Sequence, residues 1–263
     1  AEYAYEWIDE SSTVQEIFQN SLGLPFTKNL YDIFSEISKI LARVHKISPT
    51  KTENVNSIKL LSRPLIALTP EEYAEASGAE LECLSLLQKD LELIQTLNNY
   101  LPQDKYKVMI HGDIRLDQFL SSLTNEVWII DFEEYSFGDA LKDLGGIIGS
   151  VLFDVYIKIF CDTWELNDEG ANEQIINDYL LKKETALIRE VSPLLKHFLQ
   201  EYQLECRQNI DIELLSMNLG AFLLERILSR SKLSFRLSAV DKAILGIGRE
   251  FIISKYKLSQ ILS

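Results

Sequence analysis

Two aspartates in the middle of the chain, Asp113 and Asp131, each follow a short run of β-forming apolar residues and lie 18 residues apart. If the two runs are neighbours in space, both carboxylates project from the same edge. One carboxylate can accept the proton of an attacking hydroxyl, while the other, together with the side-chain carbonyl of Gln118, can offer hard oxygen ligands to Mg²⁺. This division of roles suits phosphoryl transfer, in which a metal ion neutralises phosphate charge.

The elements that must position these residues are predicted to be mostly helical. Apolar residues recur at spacings of three and four through 30–47, which indicates the buried face of a helix. Thr13 and Glu16 form a capping-box pattern that starts an earlier helix, and Thr69-Pro70-Glu71-Glu72 marks another start. The same periodicity predicts further helices near 80–101, 138–160, 171–202, 211–230 and 238–260.

A short β region interrupts the helices. Tyr106–Ile110 and Val127–Asp131 are β-rich runs, and Gln118–Ser122 is a third candidate, with the turn at Leu123–Glu126. The sequence therefore predicts a mainly α fold with a small β-ribbon near residues 106–131, whose end loops carry the candidate site.

Composition excludes several classes of protein. The chain has 263 residues, of which 46% are hydrophobic, so it can bury a sizeable core and is not a disordered polypeptide. Its net charge of −14 argues against nucleic-acid binding and against anionic membrane surfaces, and is a weak indication of cationic ligands. The most apolar stretch, 144–160, is interrupted by Asp154 and Lys158 and is shorter than the roughly 20 apolar residues of a membrane span. We therefore expect a soluble, cytoplasmic protein without a membrane or nucleic-acid partner.

The candidate site residues form part of a longer ordered pattern. It reads His111-Gly112-Asp113 with Gln118 five positions on, then Ile130-Asp131-Phe132-Glu133, then Gly138-Asp139 followed by Asp143-Leu144. This resembles the signature H-G-D-x-x-x-x-N, I-D-[FW]-E and G-D-x-x-x-D-[LV] of the aminoglycoside phosphotransferase and choline kinase-like family. Two softer matches are Leu41–His45, similar to the family's L-A-x-x-H helix end, and Tyr5–Ile8, similar to its interlobe hinge.

The resemblance implies roles for the residues of the central loop. Asp113 would be the catalytic base, and Asp131 the principal Mg²⁺ ligand, with Gln118 at the second metal-ligand position. His111 would shape the loop, and we group it with Arg115 and Asp113 as the catalytic set.

The resemblance also implies roles outside that loop. The carbonyl of Glu6 and the amide of Ile8 would contact the adenine of ATP. Asp139 and Asp143 would cap and anchor the helix that follows them.

Two features depart from the family pattern. Gln118 stands where the family has Asn, so the carbonyl is kept on a side chain one methylene longer. The chain also begins at the hinge, without the Gly-rich loop and lysine of the family's N-terminal β lobe. Glycines at 145–149 and 246–248 are interpreted as helix packing instead. We therefore expect the C-terminal lobe of a protein-kinase-like fold, with residues 1–10 as a hinge and 11–263 as the helical lobe, and a partner chain or second copy covering the hinge.

The sequence thus predicts an ATP- and Mg²⁺-dependent phosphotransferase that acts on a hydroxyl of a small molecule or a peptide. The alternative is a non-catalytic kinase-like module that holds a peptide or partner protein. A finer resemblance, carried by Arg115–Leu120 and the double acid in Asp131–Glu134, is to kinase-like proteins of thioviridamide-type and class V lanthipeptide biosynthesis.

Overall fold

The structure, a computed structural model, describes residues 10–47, 67–100, 103, 106–161, 173–254 and 257–263. Structural statements below refer to these residues. The adenine contacts predicted for Glu6 and Ile8, and nearly all of the hinge at 1–10, lie outside them.

Helices make up most of the described chain. They are α1 (Val14–Ser21), α2 (Lys28–Val44), α3 (Pro70–Glu75), α4 (Gly78–Gln88), α5 (Leu91–Asn98), α6 (Ala140–Cys161), α7 (Glu173–Cys206), α8 (Ile212–Ser231), α9 (Ala239–Ile253) and α10 (Lys257–Ile261). Thr13 and Thr69 each form a complete capping box before α1 and α3, as their sequence patterns predict. The mainly α class is therefore confirmed.

Two predicted helices are shorter than their apolar periodicity indicates. The segment at 80–101 forms α4 and α5, because Asp90 leaves the helix and its carboxylate accepts a 3.0 Å hydrogen bond from the amide of Leu93, which caps α5. The last predicted helix, at 238–260, ends at Ile253, and α10 follows as a separate turn.

The β region consists of two small antiparallel sheets rather than one ribbon. The strands are β1 (Ser11–Thr13), β2 (Lys107–Ile110), β3 (Phe119–Ser122), β4 (Val127–Ile129) and β5 (Ser136–Asp139). The predicted hairpin is β3–β4, and β1 pairs with the other edge of β3. The two runs that precede the aspartates are not paired with each other, because β2 pairs with β5 and β4 pairs with β3.

Helix α6 lies at the centre of the hydrophobic core and packs against α7 and α8. Its glycines permit this close packing: a Cβ on Gly145 would lie 2.9 Å from the backbone of Asn218, and one on Gly149 would lie 2.3 Å from the ring of Phe222. The interpretation of the glycines at 145–149 as packing residues is confirmed, and a Cβ on Gly248 would likewise lie 3.1 Å from the carbonyl oxygen of Gly220 on α8. For Gly246 the interpretation is wrong, because this glycine is exposed and no atom lies within 4 Å of its Cβ position. Among the described helices α6 is also the one long and apolar enough to cross a membrane, but 78% of its most apolar window is buried within this domain, as in the core helix of a globular protein.

Candidate active site

The loop after β2 begins with a buried histidine and a glycine that cannot be replaced without strain. His111 is fully buried, and its Nε2 donates a 2.9 Å hydrogen bond to the carbonyl of Ile130. Gly112 has a φ of +93°, and a Cβ there would lie 2.4 Å from the carbonyl oxygen of Glu134. The hydrogen bond of His111 joins the loop to the segment that follows β4, and the absence of a side chain at Gly112 allows the close approach of Glu134.

Asp143, in the first turn of α6, holds the same loop through hydrogen bonds. Its carboxylate accepts hydrogen bonds from the backbone amides of His111 (2.8 Å) and Gly112 (3.1 Å) and from Nε2 of His45 (3.1 Å). The other ring nitrogen of His45 is 2.7 Å from the hydroxyl of Tyr202. Burial acts to raise the pKa of Asp143, but the hydrogen bonds from His45 and the two amides outweigh it, so the pKa is lowered and the carboxylate is ionised. The sequence predicts Asp143 as an anchor for its own helix; the structure shows that it anchors the loop.

Asp139 caps α6, as the resemblance implies. Its Oδ1 accepts a 2.9 Å hydrogen bond from the amide of Leu141, and its Oδ2 accepts one from the hydroxyl of Tyr100. Burial raises the pKa of Asp139.

Asp113 projects from this loop toward solvent, with 56% of its side chain exposed. One of its oxygens contacts Nη1 of Arg115, and Nε of Arg115 donates a 3.0 Å hydrogen bond to Asp117. Burial acts to lower the pKa of Arg115, but the charges of Asp113 and Asp117 raise it, so the guanidinium stays charged. Arg115 therefore joins the two carboxylates of the loop and orients that of Asp113.

Gln118 immediately precedes β3, and Asp131 lies two residues after the end of β4. Gln118 is 3% exposed, and its side-chain carbonyl accepts a 3.0 Å hydrogen bond from the amide of Arg115. Its backbone carbonyl accepts a 3.0 Å hydrogen bond from the amide of Ile130. Ile130 also bonds to His111. The next residue, Asp131, is therefore held beside the loop, although β2 and β4, the strands before the two aspartates, belong to different sheets.

The side chain of Asp131 is available to a ligand. The residue adopts the left-handed conformation (φ 68°, ψ 51°), is exposed, and its carboxylate makes no hydrogen bond or ion pair with the described part of the chain. No cluster of three or more His, Cys, Asp or Glu residues that could hold a metal by itself is found among the described residues. Mg²⁺ commonly takes only one or two protein carboxylates and completes its shell with water and substrate phosphates. The carboxylate of Asp131 fits that requirement, whereas one lone pair of the Gln118 carbonyl is already used by Arg115.

Sequence reasoning did not identify one further charged residue near the site. Arg226 of α8 lies close enough to Asp113, Arg115 and Asp117 for their charges to act on its pKa. No local pattern could indicate this, because tertiary packing alone brings α8 to the loop.

Comparison with known proteins identifies the family. The model of the phosphotransferase enzyme family, APH, matches residues 20–173, which is more than half of the chain. The chain belongs to this aminoglycoside phosphotransferase and choline kinase-like family, as the ordered motifs from His111 to Leu144 predict. Among curated protein sequences none matches it.

Several solved structures are similar to this chain. LicA in complex with AMP is 12% identical, with a TM-score of 0.44 over 95% of this chain and 68% of that one. A choline/ethanolamine kinase family protein from Mesorhizobium loti is 14% identical, with a TM-score of 0.37 over 97% and 71%. Spectinomycin phosphotransferase APH(9)-Ia, in complex with ADP and spectinomycin, is 12% identical, with a TM-score of 0.44 over 87% and 66%.

Proposed function

We propose that this protein is an ATP- and Mg²⁺-dependent phosphotransferase that phosphorylates a hydroxyl group. The observation that supports this most is the pair of exposed carboxylates on adjoining loops, with Asp113 held by Arg115 and Asp131 left without a partner among the described residues. Membership of the phosphotransferase family supports the same reaction class. We further propose that the helical region is the C-terminal lobe of a protein-kinase-like fold, to which the predicted adenine contacts at Glu6 and Ile8 would belong.

In this proposal Asp113 accepts the proton of the acceptor hydroxyl. A base must be ionised and within hydrogen-bond reach of that proton, and the Asp113 carboxylate is both exposed and paired with a cation. Arg115 holds one carboxylate oxygen, so the other can face the acceptor. His111 is a positioning residue, because its side chain bonds to Ile130 and not toward solvent.

Asp131 would hold the Mg²⁺ ion, with Gln118 as a second oxygen donor through the lone pair that Arg115 does not use. The bound ion would supply neutralisation of the phosphate charge. The chain's own contribution would be to keep both oxygen donors near Asp113, and the hydrogen bonds of Ile130 to His111 and Gln118 support this by joining the segment of Asp131 to the loop.

Two substitutions separate these roles. Asp113→Asn should lower phosphate transfer by about 10²–10⁴-fold and leave Mg²⁺-dependent nucleotide binding nearly unchanged, because the amide fits the loop but accepts no proton. Asp131→Asn should weaken nucleotide binding in the presence of Mg²⁺, because it removes a full charge from the metal ligand.

Transfer is measured by mass as a gain of phosphate on a panel of hydroxyl compounds and peptides, and nucleotide binding by calorimetry with and without Mg²⁺. Glu126→Gln, which removes a charge from the exposed β3–β4 turn, is the matched control and should change neither. Equal losses of nucleotide binding in both aspartate variants, or full transfer by Asp113→Asn, would show that the roles are assigned wrongly.

A further inference from the structure

We infer that this protein forms a symmetric homodimer through two neighbouring surface elements, the loop at 232–236 between α8 and α9 and the helix α3. The loop is basic and apolar and α3 is acidic, so each copy presents both halves of the contact. The surface contains none of the candidate active-site residues, and the inference does not depend on the proposed function.

The 232–236 loop exposes two large apolar side chains. Leu233 is 93% exposed and Phe235 is 83% exposed, the two highest values among the large hydrophobic residues in the described part of the chain. The other three residues of the loop are exposed as well, including Lys232 and Arg236. A single exposed apolar residue is ordinary, but two of them between cations on one short loop favour contact with another molecule.

The backbone of this loop is held in place at both ends. The carbonyl of Ser231 accepts a 2.7 Å hydrogen bond from the hydroxyl of Ser77, and the amide of Leu237 donates a 3.2 Å hydrogen bond to Glu82 of α4. Leu237 is buried, so the chain returns to the core directly after the loop. The exposed side chains are therefore presented on an ordered backbone, which reduces the entropy lost on binding.

Helix α3 lies next to the loop. It ends two residues before Ser77, and a Cβ on the following residue, Gly78, would lie 2.6 Å from the carbonyl oxygen of Phe235. None of its six residues is buried. A helix this short depends on packing for its stability, so exposure on every side favours a partner. Its charged residues are all acidic: Glu71, Glu72 and Glu75.

The charges of the two elements indicate which partner fits. Residues 230–242 include four basic residues and one acidic residue, in a chain that has 40 acidic and 26 basic residues. An acidic peptide or an anionic membrane would be attracted by the loop and repelled by the glutamates of α3 beside it. A second copy avoids this conflict, because a two-fold axis places the loop of each copy against α3 of the other.

In this dimer Leu233 and Phe235 of both copies form the apolar centre, and Lys232 and Arg236 pair with the glutamates of the opposite α3 at the rim. Each copy contributes the five residues of the loop and the six of α3, fewer than the roughly 20–30 per side of a standard interface. We therefore expect a weak dimer with a micromolar Kd.

Light scattering of the 263-residue protein over a concentration series tests the inference. The series reaches about 200 μM in about 0.15 M NaCl, which screens the repulsion between two acidic copies. The average mass should rise with concentration from 30.2 kDa toward twice that value. A mass that stays at 30.2 kDa throughout would refute the dimer.

Replacing the apolar centre assigns the contact to the loop. Leu233→Ser combined with Phe235→Ser should raise Kd by about tenfold or more, because two large apolar side chains per copy are no longer buried. Leu204→Ser is the matched control, since Leu204 is 71% exposed on α7, and it should leave Kd unchanged. An unchanged Kd in the loop variant would exclude this surface.

A charge exchange tests the pairing of the loop with α3. Lys232→Glu with Arg236→Glu, and separately Glu71→Lys with Glu75→Lys, should each abolish the homodimer, because like charges then face each other. An equal mixture of the two variants should form a heterodimer, since every loop then faces an α3 of opposite charge. Thermal unfolding checks that both variants fold, as expected for exposed positions. Absence of the heterodimer would refute the pairing.

Two further probes test the other partners. The protein is sedimented with phosphatidylserine vesicles and titrated with an aspartate-rich peptide. A protein that stays monomeric but binds either probe through Leu233 and Phe235 would overturn the inference in favour of that partner. All of these measurements are independent of phosphate transfer, so they decide the inference whether or not the proposed function holds.

Discussion

At the scale of single residues, the most consequential group that is not proposed to contact substrate is Asp143. It is fully buried, and three donors from two segments converge on its carboxylate. A buried charge is tolerated only when it is fully paired, and here two of the pairing partners are the backbone amides of His111 and Gly112 in the loop after β2. The conformation of that loop therefore depends on one ionised side chain of α6.

Asp143→Asn should destabilise the protein by on the order of 3 kcal/mol, because the amide cannot accept from all three donors and leaves buried polar groups unpaired. Urea unfolding measures the change. Asp178→Asn, at an exposed position of α7, should change the free energy of unfolding by less than about 0.5 kcal/mol. A similar small change in Asp143→Asn would mean that the anchor contributes little.

The lowered pKa of Asp143 makes this contribution depend on pH in a defined direction. A carboxyl group whose pKa is lower in the folded than in the unfolded state stabilises the fold above the unfolded value, about 3.9, and loses that stabilisation as pH falls through the folded value. The difference in unfolding free energy between the unaltered protein and Asp143→Asn should be constant from about pH 5 to 8 and should shrink below about pH 4. A difference that grows on acidification would contradict the assigned direction.

At the scale of elements, the contact between α6 and the loop after β2 depends on a glycine. A Cβ on Gly146 would lie 2.6 Å from the carbonyl oxygen of Ile114, the residue after Asp113. The absence of a side chain lets the helix approach the loop closely enough for Asp143 to reach the amides. Helix packing and site geometry are thus set by the same contact.

Gly146→Ala should destabilise the protein by about 1–3 kcal/mol, because the added methyl group must displace backbone, and it should reduce phosphate transfer by moving Asp113. Gly246→Ala is the matched control: no atom lies within 4 Å of its Cβ position on the exposed face of α9, so alanine should stabilise by about 0.5–1 kcal/mol. Thermal and urea unfolding measure the stability of Gly146→Ala and Gly246→Ala, and transfer assays measure their activity. Equal effects of the two substitutions would exclude a specific packing role.

At the scale of the whole molecule, the net charge of −14 is the dominant long-range property. Repulsion among the excess carboxylates opposes the compact state, and salt screens it, since the Debye length falls from about 30 Å at 0.01 M to about 8 Å at 0.15 M. Locally charges of both signs are interspersed, since the charges of Asp113 and Asp117 act on Arg226.

Raising NaCl from 0.01 to 0.15 M should increase the free energy of unfolding by on the order of 1 kcal/mol, through screening of this repulsion. Urea titrations at both salt concentrations measure it. If attractive ion pairs such as that of Arg249 with Asp90 governed the electrostatic energy instead, added salt would lower stability. Arg249→Gln, measured at both concentrations, separates the two contributions.

Features that depend on neighbouring residues were predictable from the sequence. The helix starts at Thr13 and Thr69 follow from side chains that bond to backbone amides within the first turn, so no distant contact is needed. The same holds for the β3–β4 hairpin and for the spacing of His111, Asp113 and Gln118, which identified the family.

Tertiary structure alone decided which segments meet. A β-rich run does not specify its partner, so the pairing of β2 with β5 and of β1 with β3 depends on contacts across the whole chain. The charge effect of the loop on Arg226 and the hydrogen bonds of Asp143 to the loop amides have the same origin. Local sequence determines the conformation of each segment. Which side chains share a site is determined by how the segments pack around α6. The close packing at α6 restricts the positions that the neighbouring helices and the loop after β2 can take.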